Sequence, residues 1–177
     1  MERLGIVGLP NAGKSALFNA LTGYASKDSF RKLFVAPGNI RIIPLGGVEE
    51  IGRNMTMVEY GDDIIAIDCG FQFREADTPG VDYILPNTKY MEERRDKIRG
   101  LFITHGHLDH IGGIPYIIDR IGYPTVYTRA LTSVMIRKRQ EEFPNLKPLD
   151  IKEVEKADTV TVGKLKVKFF SVTHTIP

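Results

Sequence analysis

Short apolar runs separated by turn residues dominate the sequence from residue 40 onward, and this pattern predicts β-strands. The first run covers residues 40–45 and is followed by Gly46-Gly47. Two further runs, 54–60 and 64–68, are joined by Gly61-Asp62-Asp63, which is typical of a β-hairpin. More strands are predicted at 100–104, 125–127, 159–162 and 166–172.

Helical spacing of apolar residues appears between these later strands. It predicts helices at 111–121, where Pro115 suits a first turn, and at 130–143. Residues 69–97 lack a sustained period, so a long loop with short ordered pieces is expected there. Strands interleaved with helices predict a layered α/β (α+β) fold.

The N-terminal residues have a different pattern. Residues 4–9 read as a short buried strand and residues 14–22 as a helix that Gly23 ends. Pro37-Gly38 is a strong break. These signals divide the chain into an N-terminal unit at 1–24, a linker at 25–38 and a main domain at 39–177.

Composition restricts the class of protein. The 177 residues give room for one domain with a small appendage, and 42% hydrophobic with 26% charged residues is ordinary for a globular protein. Basic and acidic residues are nearly balanced, with a net charge of +2, so the total charge does not predict nucleic-acid binding. Cys69 is the single cysteine, so no disulfide can form within the chain. With no signal peptide and no apolar run of about 20 residues, a soluble cytoplasmic protein is expected.

The four histidines suggest metal chemistry. His105 and His107 are two residues apart, so in extended chain both imidazoles point to one side and can reach one cation. Asp109 and His110 follow a turn and can face a second cation nearby. His174 also follows a predicted strand. Imidazole and carboxylate ligands together suit Zn²⁺ or Mn²⁺.

Each of these residues also has a simpler interpretation. A single histidine on an apolar strand is usually a hydrogen-bonded core residue, and a pair at i and i+2 can be a surface pair. Three histidines and an aspartate within six residues, after a buried strand, favour the metal site. Asp68 ends a predicted strand, where an aspartate either caps a turn or supports the site from behind.

The segment Thr104 to His110 resembles the signature of the metallo-β-lactamase superfamily. Four flanking segments resemble bacterial ribonuclease J in the same order along the chain. They are residues 41–56, 67–70, 79–82 and 172–177. The resemblance covers roughly 140 residues and implies an incomplete αββα sandwich carrying an N-terminal strand–loop–helix appendage.

The resemblance also implies an activity, namely two-metal hydrolysis of RNA phosphodiesters as a 5′ exonuclease and endonuclease. It implies that His105, His107 and His174 hold the first metal, usually zinc. Asp109 and His110 would hold the second metal. Asp109 would also position the phosphate with the metals, and Asp68 would support the site.

The chain ends at Pro177, before the family's metal-bridging aspartate, its last histidine ligand and its RNA-covering domain. With two protein ligands for the second metal, we expect at most one well-held ion and weak or absent ribonuclease activity. We also expect a monomer or weak homo-oligomer.

The N-terminal unit contains a phosphate-loop motif. Its backbone amides and side chains would bind the phosphates of GTP and Mg²⁺ through Gly8, Asn11, Ala12, Gly13, Lys14 and Ser15. Residues 3–22 resemble the start of an Obg-like translation GTPase. The resemblance covers about 25 residues, and no guanine-reading Asn-Lys-x-Asp motif follows. A GTP-binding protein is therefore the alternative function, and a fragment without nucleotide affinity is the other interpretation of this unit.

Overall fold

This computed structural model describes residues 4–5, 40–73 and 79–174. Two stacked β-sheets form the frame of these residues. The strands are β1 (Leu4–Gly5), β2 (Ile40–Gly46), β3 (Met55–Tyr60), β4 (Asp63–Ile67), β5 (Gln72–Phe73), β6 (Tyr83–Ile84), β7 (Ile98–Phe102), β8 (Val126–Thr128), β9 (Ile151–Glu153), β10 (Thr159–Val162) and β11 (Leu165–Lys168). The helices are α1 (Lys89–Glu92), α2 (Leu108–Ile111), α3 (Ile114–Ile117) and α4 (Ala130–Gln140), with a 3-10 turn at Arg95–Lys97.

The larger sheet has six strands in the order β2-β3-β4-β7-β8-β9. Strands β2, β3 and β4 are antiparallel, and β3 and β4 form the predicted hairpin around Gly61. Strands β4, β7, β8 and β9 run parallel. Parallel neighbours need crossover connections, and the helices lie in those connections. The carboxyl ends of β4, β7 and β8 therefore share one edge.

Side chains alternate between two hydrophobic cores along the central strands. On β4, Ile64 and Ala66 belong to the core that contains Ile117 of α3. Ile65 belongs to the second core, which contains Val167 of β11. Because both faces are buried, β4 is almost uniformly apolar. The layers are helices, six-stranded sheet and three-stranded sheet, which confirms the predicted layered α/β class.

The three-stranded sheet has the order β1-β11-β10. Its strand β1 pairs parallel with β11, with Leu4 opposite Val167 and Gly5 opposite Lys168. These are the first two residues of the strand predicted at 4–9. The phosphate loop from Gly8 to Ser15, the predicted helix at 14–22 and the linker at 25–38 lie outside the described residues.

The predicted helix at 111–121 is wrong in its bounds. The structure has α2 and α3 instead, interrupted at Gly112-Gly113. The amide of Gly113 donates to the carbonyl of Cys69 at 2.8 Å, and a Cβ on Gly113 would lie 2.6 Å from the carbonyl oxygen of Gly70. This close approach to the chain after β4 breaks the helix, and a helical period does not reveal it.

Two strand predictions differ from the structure in their bounds, and one strand was missed. The strand at 100–104 is β7 at 98–102, and the strand at 166–172 ends at Lys168. Beyond it Phe170 and Val172 are exposed. Strand β9 was not predicted, because Lys152 and Glu153 are exposed and leave no apolar alternation. Within the described residues, no helix combines the length and apolarity that crossing a membrane requires.

Candidate metal centre

The candidate site lies at the shared carboxyl edge of β4 and β7. Asp68 follows β4 directly, and Thr104 comes two residues after the end of β7. Ile67 and Phe102 are register partners, and the amide of Asp68 donates to the carbonyl of Phe102 at 2.9 Å. In open sheets with parallel strands, functional side chains collect at this edge.

Three imidazoles meet at this edge in a nearly equilateral triangle. His105 Nε2 lies 3.0 Å from His107 Nδ1 and 3.2 Å from His174 Nε2, and the third side is 3.0 Å. The three rings are mutually near-perpendicular, with interplanar angles of 79° to 85°. All three side chains are half-buried.

Mutual hydrogen bonding cannot satisfy such a triangle. A neutral imidazole nitrogen is either a donor or an acceptor, so two of three mutually contacting nitrogens must be of the same kind. At least one contact is then between like groups. A cation accepts lone pairs from all three nitrogens, and ligands around a tetrahedral Zn²⁺ at about 2.0–2.1 Å lie about 3.3 Å apart. The donor set and its spacing therefore fit a metal ion.

The electrostatics of His105 favour its neutral form. Burial, followed by the charge of the neighbouring His110, lowers the pKa of His105 from 6.5 to about 4. Neutral imidazole is the form that ligates a metal, so His105 is ready to bind at neutral pH without losing a proton.

Asp68 stands behind the triangle and holds two of the histidines. Its Oδ1 accepts from the Thr104 amide at 2.8 Å and the Thr104 hydroxyl at 2.9 Å, and its Oδ2 lies 2.8 Å from His110 Nδ1. The Thr104 hydroxyl is also 3.0 Å from His105 Nδ1. With its Nδ1 donating to the Thr104 hydroxyl, His105 keeps the lone pair of its Nε2 for a metal ion.

The backbone of Asp68 is in the left-handed region, with φ of 60°. A non-glycine residue there is strained by about 1–3 kcal/mol and persists only where its surroundings fix it. The residue is 6% exposed, and its carboxylate contacts the Thr104 amide and His110 Nδ1. This arrangement supports the interpretation of Asp68 as a support for the site rather than a simple turn cap.

Asp109 and His110 form a second group beside the triangle. His110 Nε2 lies 3.3 Å from Asp109 Oδ2, and the His110 ring centroid is 3.9 Å from that of His105. The hydrogen bond from His110 outweighs burial and lowers the pKa of Asp109 to about 2. Burial lowers the pKa of His110, but the carboxylates of Asp68 and Asp109 outweigh it and raise this pKa to about 9.

Two polar residues at the site were missed by the sequence reasoning. Thr104 connects Asp68 to His105, and Asn54 contacts Asp109 through its side chain. Thr104 stands directly before the first histidine, and this position was the available signal. Asn54 is 55 residues from Asp109, and no local pattern marks it.

A cavity of about 240 Å³ opens beside Asp109. Its other lining residues are Ile51, Gly52, Phe71, Gln72 and Phe73. Ile51 and Phe73 are exposed large apolar side chains. Asp109 is the residue that this cavity shares with the candidate centre.

The sequence also predicted ligands for GTP and Mg²⁺ in the N-terminal unit. Gly8, Asn11, Ala12, Gly13, Lys14 and Ser15 lie outside the described residues. No observation on the described residues bears on nucleotide binding, so that interpretation stays a prediction.

Comparison with known proteins places the site in a family. Residues 48–175 match the family model described as the metallo-beta-lactamase superfamily. Ribonuclease J of Mycoplasma pneumoniae is 36% identical over 151 residues, which covers 85% of this chain and 26% of that protein. Ribonuclease J of Mycolicibacterium smegmatis is 40% identical over 144 residues, covering 81% and 25%. The chain spans about a quarter of the length of these relatives.

Solved structures show the same fold at lower sequence identity. A protein of unknown function from Enterococcus faecalis superposes with a TM-score of 0.54 at 20% identity, covering 73% of this chain and 36% of that one. Rubredoxin oxygen:oxidoreductase from Desulfovibrio gigas gives 0.52 at 19% identity, covering 79% and 35%. The family model matches most of the chain, including all four histidines, and the chain therefore belongs to the metallo-β-lactamase superfamily.

Proposed function

We propose that this chain is the metal-binding part of a ribonuclease J-type hydrolase that cleaves RNA phosphodiesters. One observation carries the proposal, namely the triangle of imidazole nitrogens at 3.0–3.2 Å on the carboxyl edge of the sheet. The similarity to proteins named ribonuclease J supports RNA as the substrate class. In this proposal residues 39–177 are the hydrolase portion.

The residues that would hold the metals follow from the donor set. His105, His107 and His174 would hold the first ion, and Asp109 with His110 would contribute to a second. Zn²⁺ fits this set, and Mn²⁺ is the alternative. Bound ions would polarise the phosphodiester and make a water molecule more acidic.

The other side chains act on this site through position and charge. Asp68 and Thr104 orient the imidazoles of His105 and His110, and Asp109 remains a carboxylate near neutral pH because its pKa is low. A carboxylate at the wall of the cavity helps to position a phosphate that is held by cations. In this proposal the substrate phosphate reaches Asp109 from the cavity that Asp109 lines.

The number of protein ligands determines how tightly each metal ion should be bound by this chain. Three imidazoles with a water molecule can hold Zn²⁺ tightly, whereas two protein ligands hold a second ion weakly. We therefore expect one tightly bound ion, one weakly bound ion and slow RNA cleavage.

The test combines metal analysis with RNA cleavage. The chain, purified without chelators, is analysed for zinc and manganese and then incubated with a 5′-monophosphorylated RNA. We expect close to one ion per chain, which is lost when His105→Ala is combined with His107→Ala. Gln140→Ala on α4, away from the centre, is the control. A chain that retains no metal, or retains it equally in the double variant, would overturn the proposal.

A further inference from the structure

Asn54 lies between the loop at 47–53 and strand β3, and it is 6% exposed. Both backbone hydrogen-bonding groups of Asn54 contact segments of the candidate site. The amide of Asn54 donates to the carbonyl of Asp109 at 3.1 Å, and its carbonyl accepts from the amide of Gly70 at 3.0 Å. The start of β3 is thereby joined to helix α2, which contains Asp109.

The side-chain amide of Asn54 also binds Asp109. Its Nδ2 lies 3.0 Å from the backbone oxygen of Asp109 and 2.9 Å from Oδ2 of the Asp109 carboxylate. An amide NH₂ has two hydrogens, and one residue accepts both of them. Asn54 therefore fixes the main chain and the carboxylate of Asp109 at the same time.

The oxygen atom of the Asn54 carboxamide packs against Gly47, and this contact fixes the orientation of the carboxamide. A Cβ on Gly47 would lie 2.4 Å from Oδ1 of Asn54, so the loop backbone packs closely against this oxygen. Gly47 has a φ of 79°, which glycine adopts without strain. A rotated carboxamide would place its oxygen against the oxygens of Asp109. The observed orientation is the one that hydrogen bonding permits.

We infer that Asn54 is a positioning residue for the second metal ion, acting through Asp109. It holds Oδ2 of Asp109 at 2.9 Å, while the same oxygen lies 3.3 Å from His110 Nε2. Asn54 thus keeps the carboxylate and the imidazole converging on one point beside the triangle. This inference rests on the proposed function and adds a residue that approaches the centre from a distant strand.

Cobalt(II) titration of the metal-free chain tests this role. The unaltered chain should bind one Co²⁺ tightly and a second weakly, each with its own visible spectrum. Asn54→Leu removes the donors at similar volume, and Asn54→Asp removes them while keeping the shape. In both variants we expect the first affinity within about twofold and the second weakened about 10–100-fold, the range for groups that orient metal ligands.

Controls separate this role from general destabilisation. Asn145→Leu and Asn145→Asp make the same changes at an exposed site and should leave both cobalt affinities unaltered. Gly47→Ala should weaken the second ion like the Asn54 variants, because its Cβ displaces the carboxamide. If Asn54→Leu does not fold, Asn54→Asp carries the test, with the spectrum of the second cobalt as readout.

The outcomes distinguish this inference from the proposed function. Wild-type affinity and spectrum for the second ion in Asn54→Asp would overturn the positioning role alone. One tight cobalt in the unaltered chain without any second event at millimolar cobalt would also overturn it, because Asp109 would then serve no second ion. No cobalt binding in the unaltered chain would overturn the proposed function itself.

Discussion

At the scale of single residues, Asp68 connects the strained end of β4 to two histidines. Its left-handed backbone turns the carboxylate back toward Thr104 and His110. In the metal-free protein, the raised pKa of His110 means that its protonated form stabilises the fold. This stabilisation is fully present below pH 6.5, the ordinary value, and is lost as the pH rises through about 9.

Asp68→Asn tests this coupling. Asparagine tolerates the left-handed backbone, so the change removes charge with little strain. We expect the pKa of His110 to fall by about 1–3 units, the usual effect of losing an adjacent opposite charge. NMR titration of the imidazole resonances measures it. Asp62→Asn is the control, since the Asp62 carboxylate is exposed and paired with Lys97 at 2.7 Å. An unchanged His110 pKa in Asp68→Asn would contradict the assignment.

Thr104→Val tests the link between Asp68 and His105. Valine keeps the shape but removes a hydroxyl that contacts both partners. We expect a loss of about 1–3 kcal/mol in the free energy of unfolding of the metal-free protein and about 10–100-fold weaker zinc binding. Urea denaturation and competition with a chelating dye measure these quantities.

The matched control for Thr104→Val is Thr125→Val. The Thr125 hydroxyl donates to Asp150 at 2.7 Å on the surface. Its loss should change the free energy of unfolding by no more than about 0.5 kcal/mol and leave zinc binding unaltered. Equal effects of the two substitutions would show that the position of Thr104 in the network is unimportant.

At the scale of elements, the segment after β4 and helix α2 are packed backbone to backbone. Gly70 is part of this contact, and a Cβ on Gly70 would lie 1.6 Å from the carbonyl oxygen of Asp109. The amide of Cys69 donates to the carbonyl of His110 at 2.7 Å in the same interface. Helix α2, which contains Asp109 and His110, is therefore fixed by the chain that follows β4.

Gly70→Ala should separate these segments. We expect a loss of about 3 kcal/mol or more in the free energy of unfolding, at the upper end of overpacking effects, since a backbone atom must move. Gly122→Ala is the control, because its φ of 85° costs about 1–2 kcal/mol while the nearest atom is 3.6 Å away. Urea denaturation compares the two variants. Similar losses in both would argue against the tight packing at Gly70.

At the scale of the whole molecule, the triangle joins the two sheets. His105 and His107 follow β7 of the six-stranded sheet, whereas His174 follows β11 of the other sheet. A cation held by all three would cross-link segments that are 67 and 69 residues apart. Zinc should therefore stabilise the entire fold.

Zinc stabilisation should depend on pH. At free zinc about 100 times the dissociation constant, the gain is about 2.7 kcal/mol. The neutral form of His105 stabilises the fold above pH 6.5, and this contribution is lost as the pH falls through about 4. The zinc-induced rise in melting temperature should decline over the same range. Calorimetry with and without chelator measures it, and a rise undiminished at pH 4 would exclude imidazole ligands.

The sequence by itself determined the features that depend on local pattern. The alternation on β4, where Ile64 and Ala66 face one core and Ile65 faces the other, follows from the period of a strand. The hairpin at Gly61 and the grouping of His105 and His107 on one side of the chain are likewise local. The layered fold class was therefore predictable, although the bounds of α2, α3 and β11 were not.

The tertiary structure alone decided which distant groups meet. His174 reaches His107 because the two sheets stack, and Asn54 reaches Asp109 because the start of β3 packs on the turn after β7. The helix predicted at 111–121 breaks because Gly113 approaches Gly70. These contacts depend on register and packing between segments far apart in the chain. A local sequence pattern indicates which secondary structure and which ligands suit a residue. The packing of the two sheets determines which distant residues it contacts.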